Sequence, residues 1–504
     1  MIEDARTYED GRVLECDVCV IGSGAAGVTV ARRLMAEGQR VVLLAGGGPE
    51  RDSTMQALYA ASMSGVGDFR PENTRRRQHG GSTMHWAGFC LPLSPEDFEP
   101  RDWIPYSGWP IRYADLVPYY RRAQLDVELA DFVYGTPELA ALRGQEPLDV
   151  AGGAIESVSY HFSPPSRFAT LYEEELAASG SPTLLWAHLT ELVLEPGLDS
   201  VERASCAVLG GPTFQVEADR FVLACGGIDN ARLLLASNRQ MEPGIGNGHD
   251  LVGRFFMEHP HFYRGAVWIA PSDLDTSFYR LRRVSLPLPD GGDRSVQVQG
   301  ALALSAAIRE AEGLPGFAAT FGARDFDGVD VDPLDPERAL SVLAHHEEVG
   351  LHALDCRVEQ TPDPDSRVTL RGDTDALGIP QADLHWKIRD EDLATLARGL
   401  ELIGTELGAR QLGRLWRSVD ADGRFDWELE NGSHHMGTTR MAARPEDGVV
   451  DADCRVFGVD NLYVAGSSVF TTGGHANPTL TIVALAQRLA DHLLGRPYEP
   501  AEEP

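Results

Sequence analysis

Lysine is almost absent from this sequence: Lys387 is the only one in 504 residues, and every other basic side chain apart from histidine is arginine. With the abundance of Arg, Ala and Gly, that scarcity reads as a GC-rich coding sequence of bacterial style rather than as a functional signal. Positive charge is short in total as well, 44 basic against 76 acidic residues, for a net charge of −32. Such a surface repels phosphate backbones and anionic lipid, so neither nucleic acid nor a membrane is expected as a partner. It mildly favours neutral or cationic small ligands. No apolar run approaches the ~18 residues that a membrane-spanning helix needs. The opening MIEDARTYEDG is acidic and polar, which excludes an ordinary secretory signal. Cysteine is sparse and odd in number, seven scattered residues, as in a reduced, cytoplasmic protein. Cys16 and Cys19 have the spacing of a redox or zinc pair. Three apart on a strand, they point to opposite faces and read as core, so no metal site is expected. Internal repeats and low-complexity segments are missing too.

Glycine, by contrast, is concentrated where it has work to do. The stretch Cys16–Gly48 reads CDVCVIGSGAAGVTVARRLMAEGQRVVLLAGGG. Asp17–Ile21 is a short apolar strand, GSGAAG a turn with Gly22, Gly24 and Gly27 in G-x-G-x-x-G spacing, and Ala25–Glu37 a helix. Gly38 ends the helix, and Arg40–Leu44 is a second buried strand. Such a βαβ unit brings backbone N–H groups and a helix N-terminus, at Ala25 and Ala26, up to a pyrophosphate. A dinucleotide is expected. One position breaks the pattern: Ala45 stands where an acidic side chain would hold the adenosine ribose. Ribose recognition then comes from elsewhere, with Glu50 as one source, or is weaker than usual.

At this length one core is rarely enough, so two domains are expected. Residues 49–80 are irregular and end in the run Arg75-Arg76-Arg77, either a solvated turn or a pyrophosphate contact. The loop GGSTMHWAG, Gly80–Gly88, suits a flat aromatic ligand. A helix is expected over Tyr113–Asp131 and another over Leu171–Ala178. Thr183–Leu194, Cys206–Leu209 and Thr213–Val216 read as a small antiparallel meander. Phe221–Leu235 is strand, Gly-Gly turn and helix. Ser295–Leu304 and Arg367–Leu370 alternate as strands, Glu391–Leu407 is a helix, and Thr479–Leu494 is an amphipathic terminal helix. Pro362, Pro364 and the acids between Asp325 and Asp335 mark loops.

The chemistry gathers near the C-terminus, in Ser433–Met441 (SHHMGTTRM) and Gly473–Thr481 (GGHANPTLT). Oxidising an alcohol needs a base for the hydroxyl proton and an acceptor for the hydride. A histidine, His434 or His435, has a pKa suited to the first task, and a flavin supplies the second. Asn477 precedes Pro478, and its amide can donate to the substrate oxygen without competing for the proton.

Taken together, GSGAAG, GGSTMHW, VLACGGIDNARLLL, LVGRFFMEHP, HHMGTTRM, DADCRVFGVDNLYVAGSSVF and NPTLT resemble the glucose–methanol–choline (GMC) oxidoreductases. Within them, GG-x-x-x-HW and a His/Asn pair are most similar to the pyranose oxidase and bacterial glycoside oxidase branch. The resemblance implies an α/β fold: a Rossmann-like FAD-binding domain (GMC / p-hydroxybenzoate-hydroxylase-like) from residues 1–90, 181–260 and 430–504. A substrate domain of sheet plus flanking helices would come from 91–180 and 261–429. It implies FAD as cofactor, held by Gly22, Gly24, Ala25, Ala26, Gly27, Gly81, Ser82, His85, Trp86, Leu189, Ala224, Gly466, Asn477, Pro478 and Thr479. His434 matches the family's base in His-x-Met-Gly-Thr, and Asn477 its partner. Leu189 matches the position whose backbone meets adenine. His85 stands where pyranose oxidases attach the flavin covalently, but Ala87 replaces the hydroxyl residue near flavin N5. For the substrate, Glu359 and Gln360 resemble a strand near the substrate mouth and could bind a sugar hydroxyl, or could be plain edge-strand residues. His475 is a further candidate without an assigned role.

The implied activity is oxidation of a primary or secondary hydroxyl of a sugar or glycoside, with oxygen or another electron acceptor as second partner. Two other readings of the same residues are a lyase with a structural flavin and, from Ala45, a flavin-free pseudoenzyme.

Overall fold

A computed structural model describes residues 1–67, 69–263, 266–322, 349–417 and 428–498 of the chain. The acidic stretch 325–335, read as a loop, lies outside the described residues.

The first strand of the glycine unit runs over Arg12–Ile21, five residues longer than its apolar part. It pairs in parallel with Val41–Ala45 on one side and Thr213–Leu223 on the other. Ile2–Asp4 and Thr183–Leu185 extend the parallel edge, and Leu462–Val464 joins the end of Thr213–Leu223. Val201–Ala207 and His188–Leu194 complete this eight-stranded sheet in antiparallel fashion. The expected meander over Thr183–Leu194 is thus two strands in different parts of the sheet. Trp186, with φ 56°, turns the chain between them.

Helix Ala25–Ala36 packs on this sheet with helix Thr479–Leu493, which in turn carries helix Tyr113–Asp126. The terminal helix is buried well beyond one face. Its polar residues are matched: Asp491 accepts from Arg33 (3.0 Å) and Arg122 (2.6 Å), and Arg488 pairs with Asp453 (3.1 Å). The expected helix to Asp131 stops at Asp126, because Glu128 takes φ 57°.

Among the described residues the second sheet has ten strands. Its main path runs Arg414–Arg417, Ala266–Pro271, Val349–Val358, Phe317–Gly322, Asp293–Leu304, Ile155–Phe162, Phe89–Cys90. Helix Asp390–Ala409 lays Leu396, Leu400, Ile403 and Leu407 on it, against Phe317, Leu302 and Leu354. Arg367–Thr374 does not join this sheet. It pairs with Pro380–Trp386, which runs parallel to Ala61–Gly65. That small third sheet shares the core of the first, packed on helix Gly226–Ala236 through Arg232, whose guanidinium bonds Asp375 (2.6 Å) and the Pro380 carbonyl (2.7 Å). Among the described residues no helix is long and apolar enough to cross a membrane.

Candidate active site

A cavity of about 450 Å³ runs from the glycine turn to the start of the terminal helix. At one end Gly22 takes φ 108°, and a side chain there would strike the Ala224 carbonyl at 2.4 Å. A Cβ on Gly81 (φ 56°) would lie 2.8 Å from the Gly24 Cα, so the two glycine loops touch back to back. A Cβ on Gly24 would have only the Gly81 Cα for a neighbour, at 4.0 Å, and one on Gly226 would meet no protein atom within 4 Å. Both line the cavity, so a side chain at Gly24 would obstruct what enters it, and one at Gly226 (φ 84°) would strain the backbone as well. Helix Ala25–Ala36 begins at Gly24 without a side-chain cap, leaving its first N–H groups for an anion. A bare cradle of glycines and uncapped N–H groups fits the pyrophosphate of FAD. Ala25, Ala26, Ser82, His85, Trp86, Leu189, Ala224, Gly466, Pro478 and Thr479 line the same cavity. Arg167 fixes the Gly81 loop, donating to the carbonyls of Thr83 (2.6 Å) and Trp86 (3.1 Å). His85 is half-buried, its pKa lowered to about 4 by burial and then by Arg76, Arg167 and Arg51.

The space near Ala45 belongs to an arginine. Arg77 Nη2 lies 3.0 Å from His188 Nδ1, and a Cβ on Gly46 would sit 3.4 Å from Arg77 Nε and from His188 Nδ1. Glu50 is exposed and does not line the cavity. The arginine run therefore divides: Arg75 is buried in an ion pair with Asp229, Arg76 lines the cavity, and Arg77 meets His188.

The other end is built from an antiparallel contact. Met257 and Met436 exchange backbone hydrogen bonds of 3.0 and 2.9 Å. Continuing that register sets Glu258 opposite His435 and His259 opposite His434, on alternate faces. On one face His435 Nε2 lies 3.3 Å from Glu258 Oε1 and 3.0 Å from Thr74 Oγ1, away from solvent. Burial pushes Glu258 up to about 8 and His435 down to about 3, so at neutral pH this is a protonated acid beside a neutral imidazole. On the other face His434 is half-buried, and it lines the cavity.

Hydrogen-bond roles fix the tautomers there. His259 Nε2 faces carbonyl oxygens, Gly474 at 2.9 Å and Gly473 at 3.3 Å, so it carries a hydrogen. Burial holds His259 near pKa 4, hence neutral, and its Nδ1 is bare. That atom accepts from His434 Nδ1 at 2.9 Å. His434 Nε2 is then the bare nitrogen, and Asn477 Nδ2 donates to it at 3.1 Å. Burial first, then His259, His261 and Arg357, hold the His434 pKa well below 6.5.

Three predicted substrate residues lie elsewhere. Glu359 is fully buried, its oxygens taken by Arg101 Nη1 (2.9 Å), Arg101 Nη2 (2.5 Å) and the Gly316 N–H (2.8 Å). Gln360 accepts from the Glu258 N–H and Trp386 Nε1, both at 2.9 Å, and donates to the Lys387 carbonyl. His475 is buried behind the cavity, its carbonyl accepting from the Tyr160 hydroxyl at 3.1 Å. None of the three lines the cavity. The cavity instead has His261 and Arg357, cross-strand neighbours on Pro260–Tyr263 and Val349–Val358. Neither they nor His259 stood out in the sequence. The signal was in plain view, since MEHPH is a strand entry with two histidines on one face.

Two family profiles match the chain: FAD dependent oxidoreductase over residues 17–249, and GMC oxidoreductase over 362–486. A 2-methyl-1,2-propanediol dehydrogenase of Mycolicibacterium austroafricanum is 26% identical, the alignment covering 96% of each chain. A C-glycoside 3-oxidase of Microbacterium trichothecenolyticum is 37% identical over 124 residues, 24% of this chain and 22% of that one. Among solved structures, pyridoxine 4-oxidase superposes with a TM-score of 0.58 at 18% identity, covering 96% of this chain and 100% of that one. With a glycine-built nucleotide cradle at one end of the cavity and a neutral His/Asn pair at the other, the chain is an FAD-dependent oxidoreductase acting on alcohol groups, similar to the GMC oxidoreductases.

Proposed function

We propose that this enzyme oxidises a primary or secondary hydroxyl of a sugar or glycoside to the carbonyl, with His434 as base. The observation that carries the base assignment is the bare Nε2 of His434, placed on the cavity beside Asn477. FAD, when bound, supplies the hydride acceptor. A substrate hydroxyl is a donor, as the Asn477 N–H is, so on binding it takes over the His434 Nε2 lone pair. The freed amide can then donate to the oxygen as its proton leaves. His434 Nδ1–H stays on His259, whose Nε2–H stays on Gly474, so the ring keeps one tautomer and one orientation. The sugar class is supported by the GG-x-x-x-HW and His/Asn motifs and by the C-glycoside 3-oxidase among the relatives.

Anaerobic mixing of the yellow enzyme with sugars, C-glycosides, aminoglycosides and small diols tests this. A glycoside should bleach the flavin. Splitting of a substrate with the flavin left oxidised would establish a lyase, and bleaching by small diols alone would remove the sugar assignment. We further propose that His85 lies close enough to the flavin for covalent attachment. Acid precipitation leaves the colour in the pellet if the bond exists and in the supernatant if it does not.

A further inference from the structure

The wall near the base carries an arginine, Arg357, that lines the cavity. Arg357 is 5% exposed and lines the cavity together with His261, His434 and Asn477. Its guanidinium lies over the rings of Phe89 and Tyr160, 4.9 Å from each centroid. Tyr160 also takes a side-chain hydrogen bond from it. Nε and Nη1 have no hydrogen-bond partner. Among the described residues no carboxylate pairs with it, and Glu359, two positions along the chain, is already committed to Arg101 and Gly316. A cation buried without a partner is costly to the fold. Aromatic faces and the Tyr160 hydroxyl offset part of that cost but leave Nε and Nη1 unmatched. The charge is therefore kept for something that enters the cavity.

We propose that the hydroxyl compound oxidised here also carries a carboxylate, and that Arg357 binds it. This rests on reading the cavity as a site of hydroxyl oxidation. A carboxylate is the planar acceptor that guanidinium matches in shape and charge. The substrate class becomes a glycoside or polyol with an acid group, such as a uronide, rather than the neutral or cationic ligand that the net charge favours. The net charge sets the far field, which salt screens, whereas inside the cavity the nearest cation decides. An anion on Arg357 also acts on the base. Arg357 is one of the cations holding the His434 imidazole down. Neutralised by the substrate, it lets His434 take the hydroxyl proton more readily once the substrate has arrived.

The test uses the FAD-loaded enzyme and two probes without an oxidisable hydroxyl, cyclohexanecarboxylate and cyclohexanecarboxamide, each titrated against the flavin absorbance spectrum. The carboxylate is expected to bind about tenfold or more tightly than the amide. The ratio should fall to near one in Arg357→Gln and be partly retained in Arg357→Lys. Equal binding of the two probes to the unaltered enzyme overturns the proposal, as does a yellow, folded Arg357→Gln protein that keeps the preference. If Arg357→Gln does not fold or loses its flavin, the unaltered enzyme and Arg357→Lys still decide. In parallel, methyl glucuronide should bleach the flavin at lower concentration than methyl glucoside. Failure of every hydroxyl compound to bleach would sink the oxidation reading alone, since the titration needs no turnover.

Discussion

His434 and His435 are adjacent and chemically alike, and their roles diverge because an antiparallel contact sends them to opposite faces. His434→Ala removes the cavity-facing lone pair. The reductive rate is expected to fall roughly 10²–10⁴-fold with flavin still bound. His435→Ala should leave that rate far less changed and instead lower stability by about 1–3 kcal/mol, because Thr74 loses a buried hydrogen-bond partner. Stopped-flow flavin reduction and denaturant midpoints for both variants separate the effects, and a His435 variant slower than the His434 variant would reverse the assignment. His259→Leu leaves His434 Nδ1 without its acceptor, so the tautomer is no longer held. Flavin reduction should slow roughly tenfold, the scale seen when a ring loses its orienting partner, with the pH profile displaced and KM little altered. The sequence alone suggests a base titrating near 6.5. Buried, and then flanked by His259, His261 and Arg357, His434 titrates well below that. Since only the neutral ring accepts a proton, the rate should stay flat as pH falls through 6.5 and drop only in more acid buffer. A limb centred at 6.5 would show that the site hydrates these groups. Alternation separates the two histidines in the sequence and sets His259 and His261 on one face, but the partner of His259 is visible only through a pairing between residues 175 positions apart.

Among the elements, the glycine βαβ unit was legible because its signals are local: an apolar run, a fixed glycine spacing and a helical period within 33 residues. Thr183–Leu194 was not, since its apolar alternation continues through a turn made by Trp186 at positive φ. Nor was the pairing of Pro380–Trp386 with Ala61–Gly65, which depends on a contact more than 300 residues apart. Glu359 and Gln360 sit in a recognisable strand motif, yet buried partners from other elements claim them both. The end of Val41–Ala45 shows the same limit: the missing acid was plain, and the side chain that lies beside it was hidden in the run Arg75–Arg77. Arg77 and His188 stand where the ribose acid would act. Arg77→Ala is expected to weaken FAD binding to apoprotein about tenfold, measured by quenching of FAD fluorescence. An unchanged Kd would return ribose recognition to the backbone.

Across the whole molecule, acid stability follows from where the histidines sit. Burial lowers His79, His259 and His475 to about 4, and His161, His188 and His435 to about 3. In the unfolded chain each titrates near 6.5. Between that value and the folded pKa the unfolded state binds protons that the fold refuses, so stability falls as pH falls. Each group contributes up to about 1.4 kcal/mol per pH unit across that window. Glu258 works the other way. Raised to about 8 from 4.5, it stays protonated in the fold, and its contribution is complete below the unfolded value and lost as pH rises through 8. The carboxylates in buried ion pairs enter later on the acid side, since Asp97, beside Arg309 and Arg101, is held near 2. Imidazoles therefore dominate the first losses. The urea midpoint should be highest near neutrality and decline steeply from pH 6.5 to 4, before the ion pairs begin to protonate. His161 gives the control: it is fully buried, stacked on Tyr134 at 4.3 Å, and neither ring nitrogen has a partner. His161→Phe keeps the stacking and removes one proton-binding site from the unfolded chain, so its decline below pH 6.5 should be shallower by about 1 kcal/mol per pH unit. Parallel curves for the two proteins would mean that some other group sets the acid limit.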